Sequence, residues 1–65
     1  MKALKKIEQI KPGDAVYTFD NFIPFDVLAV INKKEYTTLL LKNGKDQFLF
    51  KGMNGRNIDI LQENK

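Results

Sequence analysis

Between Tyr36 and Lys51 the chain runs Tyr36-Thr37-Thr38-Leu39-Leu40-Leu41-Lys42, then Asn43-Gly44, then Lys45-Asp46-Gln47-Phe48-Leu49-Phe50-Lys51. Two β-branched, leucine-rich or aromatic runs flanking Asn-Gly predict a β-hairpin. Asn and Gly are the residues that best accept positive φ, so the sequence predicts a two-residue type I′ turn at Asn43-Gly44. That turn sets Leu41 opposite Asp46, Leu39 opposite Phe48 and Thr37 opposite Phe50. One face then holds Thr37, Leu39, Leu41, Phe48 and Phe50. The other holds Tyr36, Thr38, Leu40, Lys42, Lys45, Leu49 and Lys51. A chain with such a segment at its centre is committed to a sheet.

The flanking residues extend that sheet. Pro12-Gly13-Asp14 predicts a type II turn, because Pro presets φ at the second position and Gly accepts positive φ at the third. Ala15 to Phe19 follows as a strand, and Asp20 to Pro24 as a loop with an Asx-type start. Phe25 to Ile31 is a second strand whose centre, Val27-Leu28-Ala29-Val30-Ile31, is apolar on both faces. Such a strand is covered on both sides or meets a partner. Simple alternation puts Leu28 and Val30 inside, and Val27, Ala29 and Ile31 outside with Leu40 and Leu49. After the hairpin, Met53-Asn54-Gly55 predicts a three-residue bulged loop into a last strand, Asn57 to Leu61, with Phe50 opposite Ile58. Residues 1–11 predict a short helical turn, with Leu4, Ile7 and Ile10 at spacing three, or an extended arm ahead of Pro12. The polar tail at 62–65 is expected to fray.

The segment Ile10-Lys11-Pro12-Gly13-Asp14-Ala15-Val16, together with the strand order and spacing that follow, resembles SH3-like small barrels. The resemblance implies a five-stranded partly open barrel; the strands and turns by themselves predict a mainly β fold, a small barrel or bent meander, and the length allows a single domain over residues 1–65. Folds of this kind serve nucleic-acid, peptide and protein binding alike, so the resemblance does not select among them. The basic-glycine signature that the translation-factor branch carries in its first hairpin is not found here.

Composition narrows the chemistry. The 65 residues include no Cys and no His, which removes thiol nucleophiles, disulfides, thiolate zinc sites and the usual neutral-pH acid–base group. A chain of this mass is expected to expose roughly 4,200 Å² when folded, enough for one thin core. A non-enzymatic protein without cofactor or metal is expected. No run reaches the roughly 20 apolar residues of a membrane helix, and the basic N-terminus lacks the apolar stretch of a signal peptide. A cytoplasmic protein is the expectation.

The net charge of +3 conceals a separation. Residues 12–32 carry Asp14, Asp20 and Asp26 and no base, whereas residues 33–56 carry Lys33, Lys34, Lys42, Lys45, Lys51 and Arg56 against Glu35 and Asp46. The first functional expectation is weak nucleic-acid binding with little sequence preference: those six cations on phosphates, with Tyr36 stacking on a base. A single Arg argues against base-specific readout. The same lysines are also what a solvated hairpin uses to keep its edges from pairing. The second expectation is a protein-interaction module, such as an accessory or inhibitor protein of a phage or plasmid. It would dock through Phe22, Ile23 and Phe25 or through a strand edge. Loop aromatics are more often plugs that close a barrel end than anchors for a partner. A homo-oligomer held by sheet edges draws on the same apolar surplus.

Overall fold

The computed structural model describes residues 2–62. They form one antiparallel six-stranded sheet, curled into a half-barrel. The strands are β1 (Lys2–Lys6), β2 (Ala15–Val16), β3 (Phe25–Asn32), β4 (Tyr36–Asn43), β5 (Asp46–Met53) and β6 (Asn57–Leu61), with a 3-10 turn at Ile7–Gln9. Their order across the sheet is β1-β6-β2-β3-β4-β5. The mainly β expectation holds, with one more strand than the sequence predicted. The tail expected to fray lies, from residue 63 onward, outside the described residues.

The extra strand is the N-terminal segment. Residues 2–6 pair with β6 from Lys2 opposite Leu61 to Lys6 opposite Asn57, and only Ile7–Gln9 turn helically. The Leu4, Ile7, Ile10 stripe is therefore split. Ile7 and Ile10 are buried on the concave side, while Leu4 is exposed. Ile7 and Ile10 fill the inside of the half-barrel.

The concave core comprises Ile7, Ile10, Val16, Phe25, Val27, Leu39, Leu41 and Ile58, with Val30, Phe50 and Ile60 packed against it. Gly52 lies beneath Ile7: a Cβ on Gly52 would stand 2.7 Å from Ile7 Cδ1. Above the open side, Phe19 brings its ring to 5.3 Å from Phe25, 5.6 Å from Phe48 and 5.9 Å from Phe50, centroid to centroid. These are edge-to-face or tilted distances that aromatic quadrupoles favour.

Besides the shortening of the expected Ala15–Phe19 strand to Ala15–Val16, three local expectations change. The β4–β5 turn is Gly44-Lys45, with Asn43 opposite Asp46, Leu41 opposite Phe48 and Leu39 opposite Phe50. Gly44 has φ +64°, and among the described residues positive φ occurs only at glycine. A turn with positive φ at its first central residue alone is type II′, which leaves Asn43 in the ladder instead of straining it. The register moves by two residues, so each side chain keeps the face assigned to it.

The second change is at β3. A bulge between Val27 and Ala29 shifts its pairing with β4, so Val27 turns inward, Leu28 is exposed and Val30 stays inside. One extra residue resets the alternation. Asp14 reinforces the bulged segment, since its backbone oxygen accepts from Val27 N–H at 2.8 Å while Val27 O accepts from Gly13 N–H at 3.0 Å.

The third is the last strand. Gly55 has φ +93°, and Arg56 N–H donates to Met53 O at 3.2 Å, which makes a type II turn rather than a bulged hairpin loop. β6 leaves β5 and pairs with β1 and β2, placing Ile60 opposite Val16. Crossing there buries Ile58 in the same core as Ile7 and Val16, a burial worth about 2 kcal/mol for an aliphatic side chain.

Candidate interaction surfaces

Two surfaces follow from this fold. The first is a cluster of turns at one end of the sheet. Lys33 N–H donates to Tyr36 O at 2.8 Å and closes the β3–β4 turn. Asn54, in the β5–β6 turn, ties itself to that turn through four contacts. Its N–H donates to Glu35 O at 3.0 Å, its Nδ2 donates to Lys33 O at 3.0 Å and Lys34 O at 3.2 Å, and its Oδ1 accepts from Thr37 Oγ1 at 2.7 Å.

The N-terminal strand holds the other side of the same turn. Ile7 N–H donates to Arg56 O at 2.9 Å, Lys6 Nζ to Gly55 O at 3.1 Å, and Gly55 N–H to Glu8 Oε1 at 2.8 Å. That last bond, with a further one from its own backbone and the nearby Lys6 charge, outweighs desolvation and holds the Glu8 carboxyl below its ordinary value.

Lys33, Lys34, Tyr36, Lys51 and Arg56 lie toward this end, but on two faces: Lys51 covers Tyr36 on the convex side, whereas Arg56 lies over Phe50 on the concave side. Lys42 and Lys45 are not among them. Tyr36 and Lys42 are six residues apart on β4, so the hairpin tip lies roughly 20 Å away. The aromatic faces are also occupied: Lys51 Nζ sits 3.9 Å from the Tyr36 ring centroid, and Arg56 Cζ lies 5.2 Å from that of Phe50. Stacking a base on the face of Tyr36 that Lys51 covers gives up a contact worth about 0.5–1 kcal/mol at an exposed site.

The second surface is the convex face of β3, β4 and β5. Register places Ala29 beside Leu40 and Leu49, Ile31 beside Thr38 and Lys51, and Tyr36 beside Met53. Ile31 is 53%, Met53 66% and Leu49 69% exposed, and among the described residues nothing covers them. The molecule exposes 4666 Å², above the roughly 4,200 Å² expected for its mass. Lys42 and Lys45 rim this face at one end, Lys33 and Lys34 at the other, and Lys51 stands within it.

Of the loop triplet, Phe22 is 90% and Ile23 50% exposed, but Phe25 is only 8% exposed and belongs to the core. Asp20 Oδ1 accepts from Phe22 N–H at 2.7 Å and Ile23 N–H at 3.2 Å, the Asx turn the sequence predicts. Sequence reading missed Asn54 and Glu8. Asn54 reads locally as a turn residue only, and a contact to a turn twenty residues away leaves no local signal.

Among the described residues there is no pocket, and no helix is long and apolar enough to cross a membrane. No family model matches the chain, and no curated protein or solved structure is significantly similar to it.

Proposed function

We propose that this protein is a non-enzymatic interaction module with an SH3-like half-barrel, docking through its convex face. Its partner is a protein whose apolar patch is flanked by carboxylates. The reading rests on one observation: Ile31, Leu49 and Met53 stand exposed on a face that the described chain leaves uncovered. Contiguous apolar surface rimmed by polar groups is what protein contacts use. The rim here is lysine, which complements acidic groups and steers encounter. An accessory or inhibitor protein acts through this kind of surface.

Nucleic-acid binding is the second reading, supported by the clamped turns that keep Lys33 and Lys34 at the same end of the sheet as Lys51. Capture from lysate with and without nuclease separates the two readings when three baits are compared. These are the natural chain, Ile31→Asp/Met53→Asp, and Lys33→Ala/Lys34→Ala. A discrete nuclease-resistant protein lost only with the first variant supports docking. Recovery that vanishes with nuclease, and with the second variant, replaces docking with nucleic-acid binding.

A further inference from the structure

The two edges of the sheet differ. β1 is only five residues long, and a short edge strand resists edge pairing. β5 runs eight residues with one lysine, and Lys51 is drawn back over Tyr36.

The direction of the β5 backbone is fixed by its hairpin. In a two-residue hairpin the closing pair, Asn43 and Asp46, exchanges both hydrogen bonds, and every second pair does so after it. Asp46, Phe48, Phe50 and Gly52 therefore turn their backbone groups toward β4. Asn54 N–H on Glu35 O continues this series. Gln47, Leu49 and Lys51 turn theirs to the free edge.

We propose that this edge pairs antiparallel with the same edge of a second copy, with Leu49 opposite Leu49 on the two-fold axis. An isologous contact needs a self-complementary strand, and β5 is one in this register. Gln47 meets Lys51 on both sides of the axis, so the edge groups of the three residues close about six backbone hydrogen bonds. On the convex face the row Ala29, Leu40, Leu49 continues into the same row of the second copy. On the concave face Phe48 meets Phe50.

Charge selects this register. Asp46 has its side chain on the concave face and meets Gly52 of the second copy. The Arg56 side chain lies over that glycine: its Cδ is 3.6 Å from where a Gly52 Cβ would stand, and its guanidinium lies over Phe50. Each Asp46 thus approaches an Arg56 across the interface, twice by symmetry. Sliding by one step in one direction sets Lys45 opposite Lys51. Sliding in the other sets Leu49 against Lys51 and moves Asp46 off Gly52.

The inference shares Leu49 and the convex face with the docking reading, but needs no foreign partner. Sedimentation equilibrium of the purified chain, from micromolar to millimolar, tests it. A concentration-dependent rise to twice the chain mass is expected. Leu49→Pro, which removes an edge-directed N–H, is expected to abolish that rise. Asp46→Arg and Arg56→Asp are each expected to weaken it roughly tenfold or more, and the charge-swapped double variant to restore it. Circular dichroism checks that each variant is folded, and the charge swap carries the test if Leu49→Pro is not.

A chain monomeric throughout overturns self-pairing, as does a dimer indifferent to both the proline and the charge reversals. A monomer that still captures a partner through Ile31 and Met53 leaves docking standing. A dimer whose convex face captures nothing leaves self-pairing standing.

Discussion

Thr37 Oγ1 donates to Asn54 Oδ1 across 2.7 Å, joining a fully buried hydroxyl of β4 to the turn between β5 and β6. The same hydroxyl lies 3.1 Å from Asn32 Oδ1. It has one proton to give, so the shorter contact is the stronger claim on it. This bond sits at the centre of the clamp that holds two turns side by side.

Asn54→Ala removes that acceptor and both side-chain bonds to the β3–β4 turn. The Thr37 hydroxyl can turn to Asn32 Oδ1, so the expected loss is about 0.5–1.5 kcal/mol, that of an ordinary hydrogen bond, and not the penalty of an orphaned buried group. In a domain this small, each kcal/mol lowers Tm by roughly 4–8 °C. Thermal unfolding checks it, and an unchanged midpoint would show that the clamp does not contribute to stability.

Gly52→Ala places a methyl 2.7 Å from Ile7 Cδ1. Overpacking of about 1–3 kcal/mol is expected. Ile7→Val deletes the clashing carbon and alone destabilises by about 0.5–1.5 kcal/mol. The double variant is expected to lose less than the two single losses together, because the second change relieves the first. Simple additivity in urea denaturation would contradict the contact.

At the hairpin tip the two candidate turns predict different outcomes. With Gly44 alone at positive φ, Gly44→Ala is expected to destabilise by about 1–2 kcal/mol. Asn43→Ala, in extended ladder geometry, is expected to stay within about 0.5 kcal/mol. A type I′ turn would make both substitutions harmful, so comparing the two unfolding midpoints decides between them.

Acid is expected to loosen the N-terminal strand. Glu8 is held low chiefly by the Gly55 N–H. At Asp14, partial burial pushes the pKa up, but hydrogen bonds from Lys11 N–H and Lys5 Nζ, each 3.0 Å, and the two lysine charges outweigh it. Both carboxyls thus titrate lower in the folded chain than their ordinary values of 4.5 and 3.8. The unfolded chain takes up protons first, so their stabilisation is present above those values and is lost as pH falls through the lower folded pKa. Glu8→Gln is expected to lessen this acid loss and to change the slope little above pH 5. A slope between pH 3 and 5 that is the same in the variant would rule Glu8 out.

How far the chain could be read in advance depends on the range of the forces involved. The positive φ at Gly13, Gly44 and Gly55 was legible because it is a steric matter within one residue. So was the concave set of Thr37, Leu39, Leu41, Phe48 and Phe50: a two-residue shift in register leaves a period of two unchanged. The mainly β architecture follows from the same alternation.

The partner of β6 was not legible. Asn57 to Leu61 presents Ile58 and Ile60 equally well to β5 or to β1 and β2, and local preference does not separate the pairings. The choice fell to whichever pairing also seats Ile7 over Gly52 and closes the clamp at Asn54. Likewise the bulge at Leu28 appears only when β3 must meet β4 and the Gly13-Asp14 turn at once. Interactions between residues one to four apart were enough to locate the turns, the two faces of the central hairpin and the mainly β character. Only the tertiary structure decided pairing, bulge and the uncovered convex face, because these depend on several distant side chains competing for one thin core.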